Sequence, residues 1–232
     1  TLAVTVEDYA QAFERECQAQ YPDVDAFETR CGYAVEMARL EAAARVLACP
    51  LKAHPPCWQH GRMLYAATRQ ALKGCRSRVV ALDIGTAKGF SALVLRWALD
   101  DAGVDGDVVS VDVVDPSERR CRNSVRDLDG PTTVTELLAP WPEAQRIRCR
   151  LSSGVDWLTR YQARVAVAFV DGKHTREAVS LEAQLLKEHQ HPGDLIVFDD
   201  LQILGVSQAV ERLTGYEVEL VTASDIRRYA VA

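Results

Sequence analysis

The spacing of apolar side chains changes character near residue 75. Before it the period is helical. Thr5 followed three residues later by Asp8 forms a capping-box pattern, and Tyr9, Ala12 and Phe13 then fall on one side of the predicted helix. Tyr33, Met37, Leu40, Ala44 and Leu47 recur at intervals of three and four. Pro50, Pro55 and Pro56 break the chain, and His60–Leu72 resumes a helix with Met63, Leu64, Ala67 and Ala71 inward. Helices of this kind suit either a cap over a sheet or a dimer surface.

From Val79 onward, short apolar runs alternate with amphipathic stretches. The runs Val79–Asp83, Val108–Asp112, Ile147–Leu151, Val165–Asp171 and Leu195–Asp199 read as strands. Several lack polar alternation, which marks strands covered on both faces of a parallel sheet. Helices are expected at about 89–101, 116–127, 155–161 and 175–190, with one more in GVSQAVERL. EVELV and IRRYAVA, joined by a turn at TASD, read as a short antiparallel pair. The predicted fold is α/β and doubly wound: a mostly parallel seven-stranded sheet with an antiparallel C-terminal edge and extra N-terminal helices. Residues 1–75 are expected to form a helical cap within the same domain as the core at 76–232.

Composition narrows the class. The 232 residues are 48% hydrophobic and carry a net charge of −6, with no run of Lys or Arg longer than two. That balance argues against nucleic-acid scaffolds and polybasic membrane binders. No apolar stretch reaches the ~18 residues of a membrane span, and the acidic start does not resemble a secretory signal. The seven cysteines, at 17, 31, 49, 57, 75, 121 and 149, are odd in number and lack a CxxC. They are expected to be reduced thiols in a cytoplasmic protein.

Candidate chemistry gathers at the strand ends. Asp83, Gly85 and Gly89 lie in the turn after the first predicted strand, where glycine lets backbone and ligand approach. The G-x-x-x-G spacing is neither the dinucleotide fingerprint nor a phosphate loop, so a pyrophosphate is disfavoured. Asp83 is a candidate acceptor for a ligand ammonium, although such a turn also occurs with no ligand. An acid at the tip of the second strand can accept from both hydroxyls of a ribose. Asp112 is the first choice; Asp115, before Pro116, is the alternative or a helix cap. Asp171, Asp199 and Asp200 end the fourth and fifth strands, with His174 close behind. Carboxylates gathered at one crevice repel unless neutralised, and a hard divalent cation such as Mg²⁺ is the economical counter-ion. The competing reading is ordinary strand-end acids and a loop-stabilising His174.

With these residues in place, the chain resembles class I S-adenosylmethionine-dependent methyltransferases over roughly residues 79 to 232. More narrowly, it resembles the divalent-metal-dependent O-methyltransferases that include the catechol, caffeoyl-CoA and macrolide-sugar enzymes. The resemblance implies that Asp83, Gly85, Gly89 and Ser91 form the first cofactor motif and that Asp112 binds ribose. It implies that Ser152 and Ser153, in the turn after the third strand, flank adenine. It implies that Asp171, Asp199 and Asp200 bind Mg²⁺ or another divalent cation such as Mn²⁺, Asp171 also bordering the cofactor, and that His174 is the general base. The expected reaction is methyl transfer to a hydroxyl of a small molecule with vicinal oxygens, as in natural product biosynthesis. No nucleic-acid or membrane partner is expected, and a homodimer through the N-terminal helices is a candidate assembly. Trp58 and His60 are candidate acceptor or cofactor contacts; packing and structural roles are the plainer alternatives. Two further functions stay open: metal chemistry of another kind, such as hydroxylation or hydrolysis, and non-catalytic cofactor binding.

Overall fold

Five apolar runs pair in parallel to make the centre of the molecule. The computed structural model describes residues 5–50, 56–224 and 227–232; His54, Pro55 and the end of the turn predicted at TASD lie outside the described residues. The strands are β1 (Val79–Ile84), β2 (Gly106–Asp112), β3 (Ile147–Leu151), β4 (Val167–Val170), β5 (Leu195–Phe198), β6 (Glu219–Ser224) and β7 (Arg227–Val231). Their order is β3-β2-β1-β4-β5-β7-β6, with β7 antiparallel to both β5 and β6. β1 therefore has β2 on one side and β4 on the other, in registers that include Asp83↔Ser110 and Asp83↔Phe169. The direction of winding reverses there, which opens a crevice at the strands' carboxyl ends. The predicted architecture is the observed one.

Helices cover both faces because both faces of the central strands are apolar; all six residues of β1 are buried. One face carries α1 (Val6–Gln18), α2 (Pro22–Cys31), α3 (Met37–Leu47), α4 (Gln59–Ala71) and α5 (Phe90–Ala102). Their buried residues, among them Phe27, Leu40, Met63 and Leu93, form one continuous core with Val79, Ala81 and Phe169. The Thr5–Asp8 capping box that opens α1 is present. α2 was not anticipated, although Pro22 at its start and Val24, Phe27 and Cys31 at helical spacing carried the signal.

The segment 116–127, expected to be helical, is not. It runs as turns with one bridge, Arg120↔Thr132, then a 3₁₀ turn at Val125–Asp129 and the short helix α6 (Val134–Leu138). Asp115 Oδ1 accepts from the Ser117 N–H and hydroxyl, turning the chain immediately. The Arg122 guanidinium then donates to the carbonyls of Ala87, Asp115, Glu118 and Thr132, tying the segment to the glycine loop and to the turn that follows it. On the other face lie α7 (Gly154–Arg160), α8 (Arg176–His189) and α9 (Leu204–Val210), packed through Leu158, Val179, Leu186 and Val206.

Candidate active site at the strand carboxyl ends

The glycine loop is shaped by what lies beneath it. Gly85 adopts a φ of +106°, and a side chain there would meet the Asp171 carbonyl oxygen at 2.2 Å. Gly89, at φ +89°, opens α5 against Leu138. Asp83 sits below the loop, wholly buried, and accepts from the Ser91 hydroxyl at 2.6 Å and from the Ser110 hydroxyl. Thr86 Oγ1 and Ser110 Oγ, 2.6 Å apart, extend this network into the loop. Burial pushes the Asp83 carboxyl up to about 7 against the pull of the two hydroxyls. Asp83 and Ser91 thus brace the loop from inside.

Asp112 ends β2 at the crevice. Its Oδ2 accepts from the Ala87 N–H at 2.9 Å and its Oδ1 from the Val114 N–H at 2.9 Å, so the carboxylate ties the tip of β2 to the glycine loop. The Asp115 carboxylate is engaged in its own turn with Ser117. The Ser152 N–H donates to the Asp112 carbonyl at 2.9 Å, while Ser153 caps α7, its hydroxyl accepting from the Asp156 N–H. Gly85, Asp112, Ser152, Ser153 and Asp171 all border one cavity of about 670 Å³.

Beside that cavity stands an acid–imidazole cluster. Asp171, His174 and Asp200 each offer one ligand atom, all within 4.8 Å of one another. His174 Nε2 lies 3.1 Å from Asp171 Oδ1, and its Nδ1 lies 3.6 Å from Asp200 Oδ2. The hydrogen bond to Asp171 raises the histidine pKa above its usual value, while burial raises that of Asp171. Asp199 is outside this group of three and more deeply buried; it accepts from the Asp200 N–H at 2.7 Å, and burial holds its carboxyl well above the usual range. Asp200 has a φ of +54°, a strained conformation for a side chain with a Cβ. It is held by Arg227 Nη1 and Gln202 Nε2, which both donate to Oδ1 at 2.6 and 2.5 Å.

His60 packs with its ring stacked on Phe169 and edge-on to Phe90, centroids 5.8 and 5.1 Å away. Burial pushes its pKa down to about 4, so the ring is neutral near pH 7, and the charges of Arg227 and Asp200 reach it. Trp58 is fully buried and stacked on Phe13 at 5.0 Å. It belongs to the core on the α1–α5 face. Arg227, Gln202, Ser110 and Glu182 were not singled out beforehand. Only Glu182 had a local signal, a charge at an inward position of the α8 period between Val179 and Leu186.

Residues 82–201, which run from β1 past β5, match the family model described as a methyltransferase domain. A search of curated proteins found no match. Among solved structures, the O-methyltransferase NovP is 15% identical and aligns over 83% of this chain and 97% of its own, with a TM-score of 0.57. A Klebsiella pneumoniae protein assigned as an O-methyltransferase is 14% identical, covering 92% of this chain and 90% of its own at a TM-score of 0.53. An rRNA methylase from Streptococcus thermophilus is 11% identical, covering 73% and 93% at 0.52. At such identities the structural likeness speaks for the fold, and the family match, which spans more than half of the chain, makes this protein a member of the methyltransferase domain family.

Proposed function

We propose that the protein transfers the methyl group of S-adenosylmethionine to a hydroxyl of a small molecule with vicinal oxygens, assisted by Mg²⁺ or a similar divalent cation. One observation carries this reading: Asp171 belongs both to the cavity that also holds Asp112, Ser152 and Ser153 and to the cluster with His174 and Asp200. A cofactor in the cavity would thus lie directly beside the acidic cluster.

The residues fit both groups. Asp112 and the backbone of the glycine loop suit a ribose and an amino-acid tail, and Ser152 and Ser153 border the far end of the same cavity. Asp171 and Asp200 keep their Oδ2 atoms free of the hydrogen bonds made by Oδ1, and the oxygen-rich donor set matches a hard cation. Asp199, adjacent and buried, is the third carboxylate of the proposed set. Bound there, the cation would stabilise an oxyanion and lower the pKa of a coordinated hydroxyl.

The chain's own residues supply positioning and proton transfer. The bracing of the loop by Asp83 fixes the approach of the methyl donor, and in-line alignment converts a bimolecular displacement into one between held partners. His174 accepts the acceptor's proton on a ring nitrogen; its other nitrogen, hydrogen-bonded to a carboxylate, keeps the ring oriented. Arg227 fixes one oxygen of Asp200, leaving the other toward His174.

Isothermal titration with S-adenosylmethionine and with NAD⁺, followed by methyl transfer to a panel of catechols and vicinal diols with Mg²⁺ or EDTA, tests the reading. Heat with the former alone and EDTA-sensitive transfer are expected. No binding of S-adenosylmethionine in the presence of Mg²⁺ would overturn it.

A further inference from the structure

The inward face of α8 is apolar except at one position. Between Val179 and Leu186 stands Glu182, 3% exposed, whose Oε2 has no hydrogen-bond partner among the described residues. A buried carboxyl without a partner is costly, and tertiary structures keep few of them. Burial pushes its pKa up to about 7, so at neutral pH it is divided between acid and carboxylate. Nothing in the catalytic reading uses it.

Its surroundings are those of a site for a flat ring. Glu182 borders the same cavity as Asp112 and Ser153, and Val113, Val155, Ala178 and Leu181 supply apolar walls there. Val113 and Leu181 remain 73% and 43% exposed, large apolar surface that a ligand would cover. Across from Glu182, α7 begins with Gly154, where a Cβ would come within 2.6 Å of Glu182 Oε1. Glycine at that point leaves the carboxyl its room.

We infer that Glu182 reads the nucleobase of the cofactor, accepting a hydrogen bond from the exocyclic amine of an aminopurine held between these apolar walls. In its acid form the carboxyl also donates its O–H to the neighbouring ring nitrogen, so either protonation state has a partner on that edge. The selected ligand class is a 6-aminopurine nucleoside. The inference rests on the cavity being the S-adenosylmethionine site, and Glu182 within it is a specificity residue away from the reacting atoms.

The test uses S-adenosylhomocysteine and its analogue with hydrogen in place of the 6-amino group, titrated into the intact protein, with unliganded melting measured in parallel. Wild type is expected to bind the amino compound about 10- to 100-fold more tightly than the analogue, the range of a hydrogen bond to a buried charged or polar group. Glu182→Leu should bind both alike, near the wild-type affinity for the analogue, and should melt higher than wild type because an unpaired buried carboxyl is gone. Glu182→Ala carries the same affinity comparison if the leucine variant does not fold. If wild type binds the amino compound and either variant keeps the wild-type ratio, the inference is overturned while the cofactor reading stands. If wild type binds neither compound, the cofactor reading itself fails. A lower melting temperature for Glu182→Leu with an unaltered ratio would also overturn the inference, assigning the carboxyl to the free N–H groups at the start of α7.

Discussion

His174 and Asp112 show how one side chain at a strand end can be given a task by two neighbours. His174 lies between Asp171 and Asp200, which hold its proton more tightly than water would. As the proposed base it would work only when neutral. The transfer rate should therefore rise with pH along a single limb, since only the neutral imidazole can accept a proton. His174→Ala is expected to lower the chemistry-limited rate by about 10²–10⁴ while titrations of Mg²⁺ and cofactor stay nearly as in wild type. A variant that keeps its rate and the same limb would hand proton removal to solvent. In the proposed reading Asp112 has a double duty, binding ribose while it accepts from the Ala87 and Val114 N–H groups. Asp112→Ala should weaken S-adenosylhomocysteine binding by about 1–3 kcal/mol in calorimetry, with little change in metal affinity.

Among the elements, the β1–α5 junction is the least tolerant of change. Gly85 combines a positive φ with a contact of 2.2 Å between a hypothetical Cβ and the Asp171 carbonyl. Because that carbonyl is backbone at the end of β4, the clash cannot be relieved by turning a side chain. Gly85→Ala is expected to cost about 2–4 kcal/mol in urea unfolding, from strain and overpacking together. Gly103 ends α5 at φ +66° with nothing among the described residues within 4 Å of its Cβ position. Gly103→Ala there should cost only about 1 kcal/mol, the conformational term alone. Equal losses at the two glycines would mean that the approach to Asp171 does not govern the junction. The segment 116–127 is governed from outside its own sequence. Its apolar and charged residues suit a short helix, yet Arg122 gathers four carbonyls from separate turns and holds the chain irregular. Local propensity lost to one long side chain.

Across the whole molecule, buried carboxyl groups set the pH dependence of stability. Asp83 and Glu182 titrate near 7 in the folded state and near ordinary carboxyl values when unfolded. A raised folded pKa gives stability that is complete below the unfolded pKa and disappears as pH rises through about 7. The depressed pKa of His60, about 4, acts in the opposite sense but is already flat above pH 6.5. The unliganded protein should therefore lose roughly 1 kcal/mol per carboxyl in urea unfolding between pH 6.5 and 8, and Glu182→Gln should reduce that loss. A stability that rises across this window would mean that the two groups are not buried as described. Much of the plan behind these effects is local and was open to reading from the chain. The unbroken apolar run at Val79–Ile84 needs cover on both faces and so selects a parallel sheet with helices on each side. Parallel strands also place Asp112, Asp171 and Asp200 at one edge regardless of what lies between them. Side-chain partners across the fold have no such local record. Arg227 reaches Asp200 only because β7 inserts antiparallel between β5 and β6. Trp58 is core because α1 brings Phe13 against it. Glu182 is an orphan in a cavity because α7 and α8 pack with Gly154 between them. Periodicity and strand-end chemistry are properties of a few consecutive residues, and the chain alone determined those. Burial, strain and ion pairing depend on which distant segment arrives, and only the tertiary structure decided them.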